Sequence, residues 1–418
     1  MPTPLNLTAP RRSAPLRILF VTHRQPYPPK GGAKIRAFHS VRWLQEQGHE
    51  VTVAAPVRDA EEREGAQALE DFCSGVISEP VSEWVQKLRM VSRLPTPIPS
   101  SMGYFDSPAL SQRVRQFVRD GHADFAMVHC SSVAHFLGDD RSIPRLLDFV
   151  DIDSQKWLDY AGFHAWPKSM GYWLEGTKLR RAEARLARTF DMNTVITPGE
   201  LDLLDRFAPD AGTGWFPNGV DLDAFKPTGT EPDPDTLSFT GRMDYYPNAD
   251  GMVAFCRDVL PLIQEQRPRT QLLIIGAEPT AEVRRLGELP GVTVTGTVDE
   301  VQPWVARSCI SVAPLSIARG TQNKVLEAMA MGLPVVASPL AGRGVDAVPG
   351  EHLLVADSPH QWSDAILDLL NDPSRRAALA RSGRERIRAH HSWDAAMGRF
   401  ETLMDECIDR HRRMGNRS

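Results

Sequence analysis

The chain has 418 residues, 42% of them hydrophobic and 24% charged, with a formal net charge of −5. That length predicts two domains of ordinary size, each able to bury a core, and that charge excludes a general nucleic-acid binder, which would be basic. The five cysteines (Cys73, Cys130, Cys256, Cys309 and Cys407) form no C-x-x-C pair, which argues against disulfide scaffolding and structural zinc and fits a reducing cytosol.

Residues 1–15 carry Arg11 and Arg12 but no apolar run, so they read as a disordered tail and not as a signal peptide. No later stretch has the length needed to span a bilayer. RILFVT (17–22) predicts a first strand; a Pro/Gly-rich loop follows, then a helix from about Ala33 to Gln47, closed by Gly48. HEVTVAAP predicts the next strand, and further strands are expected near 125–129, 145–150 and 193–197, with 92–103 a loop. This strand–helix rhythm is that of an α/β domain with a parallel sheet, here residues 16–214. WFPNGVDLDAFKPTGTEPDPDT (215–236) is rich in Pro, Gly and Asp and predicts a linker. A second round, residues 237–390, opens at LSFTGRMD, with strands near 271–275, 292–295, 310–313 and 334–337. Residues 391–418 predict a closing helix with Ser392 as N-cap and Phe400, Leu403, Met404 and Cys407 on its apolar side.

The most informative stretch is RGTQNKVLEAMAMGLPVVASP (319–339). Projected at 3.6 residues per turn, Val325, Leu326, Ala328, Met329 and Ala330 form an apolar arc, and Asn323, Lys324 and Glu327 share the opposite one with Gly320. The helix N-terminus behind Gly320-Thr321 attracts an anion, and Glu327 lies far enough along to meet a sugar hydroxyl. Phosphate at the tip and hydroxyls further along describe a nucleotide diphosphate. Arg242, just past a strand end, can pair bidentately with phosphate oxygens, so Arg242 and Lys324 together offset a diphosphate leaving group without a metal.

Other residues carry two readings each. Gly31 and Gly32, before the first helix, are a substrate-binding loop or a plain turn. No G-x-G-x-x-G occurs there or at Gly276, so a nicotinamide or flavin cofactor has no support. His129, at a strand end, is a site residue or a structural histidine. Asp148, Asp151 and Asp153 bind acceptor hydroxyls or cap turns. Segment 168–190, with its Lys and Arg residues beside Tyr172 and Trp173, is a solvated helix face or a membrane-surface patch.

These pieces, in this order, resemble the GT-B glycosyltransferases of the large retaining family four. The strings that carry the likeness are ITPGELDLL, FPNGVDLDAF, SFTGRMD, LLIIGAEP, VTVTGTVDEV, ISVAPL and NKVLEAMAMGLPVVAS. PYPPKGGAKIR, LLDFVDIDSQKW and GRMDYYPNADGM are similar to sugar transferases associated with PEP-CTERM/exosortase exopolysaccharide systems. The resemblance implies two Rossmann-like parallel-sheet domains facing a cleft. The first would take the acceptor and the second the donor, and the last helix would cross back onto the first domain. It implies ribose binding by Glu327, diphosphate binding by the Gly320 and Thr321 amides and by Arg242, and an active-site histidine at His129. Two departures stand out: Arg319 occupies the place of the family's first glutamate, and Asn248 and Asp250 lie where its usual lysine is expected. The implied activity is metal-independent transfer of a hexose, with retention, from a UDP- or GDP-sugar to a saccharide or polyprenyl-linked acceptor, without cofactor. It would take place in the cytoplasm, at the inner face of the membrane. A catalytically silent nucleotide-binding partner and a sugar-nucleotide epimerase are the rival readings.

Overall fold

The computed structural model describes residues 15–29 and 32–415. Residues 1–14 of the expected tail, and Gly31 of the glycine pair, lie outside the described residues. The chain divides into two compact units, one of Met1–Phe216 with Met397–Ser418, the other of Pro217–Ala396.

In the first unit seven strands form one sheet: β1 (Arg17–Thr22), β2 (Glu50–Val57), β3 (Gly75–Pro80), β4 (Phe125–His129), β5 (Arg145–Val150), β6 (Met192–Val195) and β7 (Thr213–Trp215). Every pairing is parallel, in the order β3-β2-β1-β4-β5-β6-β7. A parallel sheet is covered on both faces, so its strands read as continuous apolar runs. In β1 every residue after Arg17 is buried, and β4 is buried throughout. β3 and β7 went unread in the sequence: GVISEP holds only two large apolar residues, and TGW is too short to show a period. The helix expected from Ala33 spans Gly32–Glu46, and the 92–103 loop contains a short helix, Ser100–Tyr104.

The second unit winds the same way. Its strands β8 (Thr236–Thr240), β9 (Gln271–Ile275), β10 (Val292–Val294), β11 (Ile310–Ala313), β12 (Val335–Ala337) and β13 (Leu354–Val355) run in the order β10-β9-β8-β11-β12-β13. The helix Asn323–Ala330 buries the apolar arc read from the sequence, from Val325 to Ala330, in the core with Phe239 and Ile274. The segment from Pro217 is not a bare linker. The Asn218 amide donates to Asn323 Oδ1 at 3.3 Å, and Val220 bridges to Ser392.

The last helix spans Trp393–Gly415 and is capped as expected, with Ser392 Oγ accepting from the Ala395 N–H at 3.2 Å. From Met397 onward it belongs to the first unit, where Phe400, Met404 and Cys407 are buried and the Phe400 ring lies 5.2 Å from Phe216. In each sheet the winding reverses beside the first strand, between β1 and β4 and between β8 and β11. Such a switch point opens a crevice at the carboxyl ends of the strands, and ligands bind there.

Candidate active site

At the switch point of the second unit, Gly241 and Arg242 follow β8, and the loop after β11 leads through Gly320 to the helix Asn323–Ala330. Lys324 Nζ donates to Asn248 Oδ1 at 2.7 Å, and Asn248 Nδ2 donates to the Arg242 carbonyl at 2.8 Å. One side-chain amide thus joins both sides of the crevice. The Lys324 ammonium also lies 5.0 Å from the centre of the Phe239 ring. Burial lowers the Lys324 pKa to about 8, with Glu327 opposing. Burial likewise raises Glu327 to about 7, against the pull of Lys324. Two groups of opposite charge are therefore poised near neutrality, as expected where a ligand is to be recognised by charge.

The Arg242 side chain is 64% exposed and pairs with Asp244 at 2.8 Å and with Glu278. A phosphate must therefore compete with two carboxylates for that guanidinium. Gly320 has φ of +60°, a backbone conformation glycine adopts without strain. The Thr321 hydroxyl is buried with no hydrogen-bond partner; an unpaired buried hydroxyl calls for a ligand or a water. A Cβ at Gly276 would fall 1.8 Å from the Gly241 carbonyl oxygen, so only glycine lets the loops after β8 and β9 run this close. Gln322 donates through Nε2 to the carbonyl of Arg319 at 2.9 Å. Among the described residues no cluster of three His, Cys, Asp or Glu side chains could hold a metal ion.

The switch point of the first unit lies where Thr22 pairs with His129. His129 is fully buried, and its Nδ1 lies 3.1 Å from Asp148 Oδ2. Asp148, also fully buried, accepts both prongs of the Arg36 guanidinium, from Nε at 2.8 Å and Nη2 at 3.1 Å, and the Thr194 hydroxyl at 3.0 Å. Burial pushes the Asp148 carboxyl up, but the Arg36 charge and the hydrogen bonds from His129 and Arg36 outweigh it, and the group stays ionised well below the usual range. An ionised carboxylate on Nδ1 fixes the tautomer that carries its proton there, leaving Nε2 as the acceptor. That Nε2 is buried with no partner in the protein. His23, the residue after β1, stacks 6.1 Å away, and burial, then His129, hold its pKa well below the ordinary value. Cys130 (φ +86°) and Val150 (φ +66°) take left-handed conformations just past β4 and at the end of β5. For a β-branched residue that is a strained arrangement, and such strain gathers at functional sites.

The three carboxylates of DFVDIDS part company. Asp148 holds His129 and Arg36. Asp153 opens the helix Asp153–Phe163 and pairs with Lys156 at 2.5 Å. Asp151 keeps a buried, unpartnered Oδ1, and burial, then Glu200 and Asp153, raise its pKa to about 7.

Two family models match the chain: one for a "Glycosyl transferase 4-like domain", over residues 31–219, and one for "Glycosyl transferases group 1", over 234–372. Between them they cover most of its length. The chain belongs to glycosyltransferase family four. The fold of this glycosyltransferase is that of sucrose-phosphate synthase from Thermosynechococcus elongatus (TM-score 0.68, 18% identity, 96% of this chain and 100% of that one). It is equally that of Anabaena HepE, solved in complex with UDP (TM-score 0.66, 15% identity, 93% and 100%). A curated relative, the GDP-mannose-dependent monoacylated alpha-(1-6)-phosphatidylinositol monomannoside mannosyltransferase of Corynebacterium glutamicum, is 26% identical over 214 residues, 45% of this chain and 55% of that protein. The glycosyltransferase spans about half the length of the curated relatives it matches.

Within this glycosyltransferase the structure brings together Lys324, Glu327, Gly320, Thr321 and Arg242 in one unit, and places His129 in the other. Arg36 and Thr194 went unread. A charged residue between Ile35 and Ala37, in a helix after a Pro/Gly loop, was the available signal for Arg36. Nothing in the sequence pairs it with an aspartate 112 positions away.

Proposed function

We propose that this chain transfers a hexose from a UDP- or GDP-sugar to a saccharide or polyprenyl-linked acceptor, with retention of configuration and without a metal ion. The work would serve exopolysaccharide assembly at the inner face of the cytoplasmic membrane. The observation that carries the reading is the Lys324 ammonium, held by Asn248 beside Glu327 and the Gly320-Thr321 turn. Lys324, Arg242 and the Gly320 and Thr321 amides take the diphosphate, Glu327 accepts from the ribose hydroxyls, and Gly31 and Gly32 contact substrate. Fixed donors aimed at the charge that develops on a leaving group are among the largest contributors to catalysis. His129, with its proton held on Nδ1, offers Nε2 as an acceptor to a hydroxyl of the transferred sugar.

The test is a panel of nucleotide sugars, with and without a lipid-linked acceptor, in the presence of EDTA. Nucleoside diphosphate release that requires acceptor and survives the chelator is the expected result. Release without acceptor would favour an epimerase or hydrolase. Nucleotide binding without any release, a reading motivated by Arg319, would favour a silent binding partner. Loss of activity in EDTA, restored by magnesium or manganese, would overturn the metal-free scheme.

A further inference from the structure

Helix Glu83–Ser92 is turned inside out. Its Gln86 is 3% exposed, while Trp84 is 79%, Leu88 67% and Val91 53% exposed. At 100° per residue these three apolar side chains fall on one stripe. A helix packed for stability alone would bury that stripe and leave the glutamine in water. A second helix, Lys168–Thr189, repeats the pattern. Met170, Trp173 and Leu174 are exposed on one face, and Arg181 and Arg185 continue the same face toward its C-terminus. Trp166, two residues before that helix, is 78% exposed.

The second helix is fastened to the segment that follows the first. Lys178 Nζ donates to the carbonyls of Arg93 and Leu94 at 3.3 and 2.7 Å. Glu175 accepts from the N–H groups of Ser100 and Ser101 at 3.0 and 2.8 Å. The end of the first stripe, with Leu94 exposed beyond it, is thereby brought alongside the second. The charges are sorted by sign. Of the carboxylates on the two helices, Glu175 is spent on those backbone groups, Glu183 is buried and accepts from the Ser154 N–H, and Glu83 is paired with Lys87. Lys168, Arg181 and Arg185 remain exposed around the apolar residues.

We infer that this face of the first unit docks on an anionic lipid bilayer, with Trp84, Leu88 and Trp173 entering the interface and Arg181 and Arg185 meeting the headgroups. Tryptophan favours the depth where an apolar ring and a polar N–H are both accommodated. Arginine bound to lipid phosphates adds an attraction that depends on anionic lipid and on salt. A protein partner would be chosen by shape and would be expected to offer counter-charges at fixed places; a stripe of cations around loosely spaced aromatic residues suits a charged plane. The inference rests for its purpose on the proposed transfer to a lipid-linked acceptor. It is tested without donor or acceptor, so the two can fail separately.

The full chain is floated with vesicles of equal parts phosphatidylglycerol and phosphatidylcholine, and with vesicles of phosphatidylcholine alone. The expected result is binding to the anionic vesicles that weakens with added salt. The pair Leu88→Glu and Trp173→Glu lowers vesicle affinity by about tenfold or more. Arg181→Gln with Arg185→Gln removes the part that depends on phosphatidylglycerol. Both double variants keep the circular dichroism spectrum and the urea-unfolding midpoint of the unaltered chain, which shows that the first unit folds. Absence of binding by the unaltered chain, or equal binding by Leu88→Glu/Trp173→Glu, overturns the inference. So does a concentration-dependent dimer that the same pair abolishes, since a second copy would then be the occupant.

Discussion

Binding of an intact nucleotide sugar should follow a bell-shaped pH dependence whose two limbs belong to Glu327 and Lys324. The lysine binds phosphate as a cation, and with its pKa lowered to about 8 the affinity falls as pH rises through that value. The glutamate accepts from ribose hydroxyls as an anion, and with its pKa raised to about 7 the affinity falls as pH drops through it. Each limb has a slope of up to about tenfold per pH unit. Lys324→Met removes the upper limb and weakens binding by roughly 1.5–3 kcal/mol, the range for a hydrogen bond to a charged group, or about 10- to 150-fold in Kd. The upper part of the range is expected, because Asn248 and the Phe239 ring already hold the ammonium and little side-chain freedom is lost on binding. Glu327→Gln flattens the lower limb. Calorimetric titration with an intact nucleotide sugar is the cleanest assay, since a phosphate diester has no ionisation of its own near pH 7. Unchanged affinity in Lys324→Met, or an upper limb that persists without the lysine, would refute the assignment.

Two further outcomes follow from the packing. Asp148→Asn leaves Arg36 buried without its counter-charge and should destabilise the first unit by about 3–5 kcal/mol in urea unfolding, as for other broken buried pairs. Because the folded pKa of Asp148 is depressed, its contribution is full above the unfolded value near about 4 and is lost as pH falls below it; a change under about 1 kcal/mol would contradict the network. A chain ending at Ala396 should bind nucleoside diphosphate within a few-fold of the whole protein yet transfer no sugar, because the first unit loses Phe400, Met404 and Cys407. Full transfer by that shortened chain would show the helix to be dispensable. A cut at 390 is a poorer test, since it also removes His391, whose Nε2 accepts from the Asp346 N–H at 3.0 Å.

The sequence foretold what depends on neighbours in the chain. The apolar arc of 325–330, the Ser392 cap and the long apolar strands are local patterns, and each lies where its period put it. Partnerships across the chain were beyond such patterns. Lys324 was expected to meet the diphosphate together with Arg242, but not through Asn248, 76 positions away. Asp148, Asp151 and Asp153 looked alike in sequence, and only the strand register separates a buried ion-pair member from a helix opener. The helix Glu83–Ser92 was missed because its apolar face is out of doors: periodicity reports that a helix has two faces, not which of them meets the core.

Asn248 limits what its own position can hold. Its Oδ1 stands 2.7 Å from Lys324 Nζ, so any side chain at 248 faces the spot that Lys324 fills from the opposite wall. A lysine at 248 facing a lysine at 324 would press two ammonium groups together in a site whose burial already disfavours one. The two positions are therefore coupled: with the cation on one wall, the side chain that faces it has to be uncharged or an acceptor.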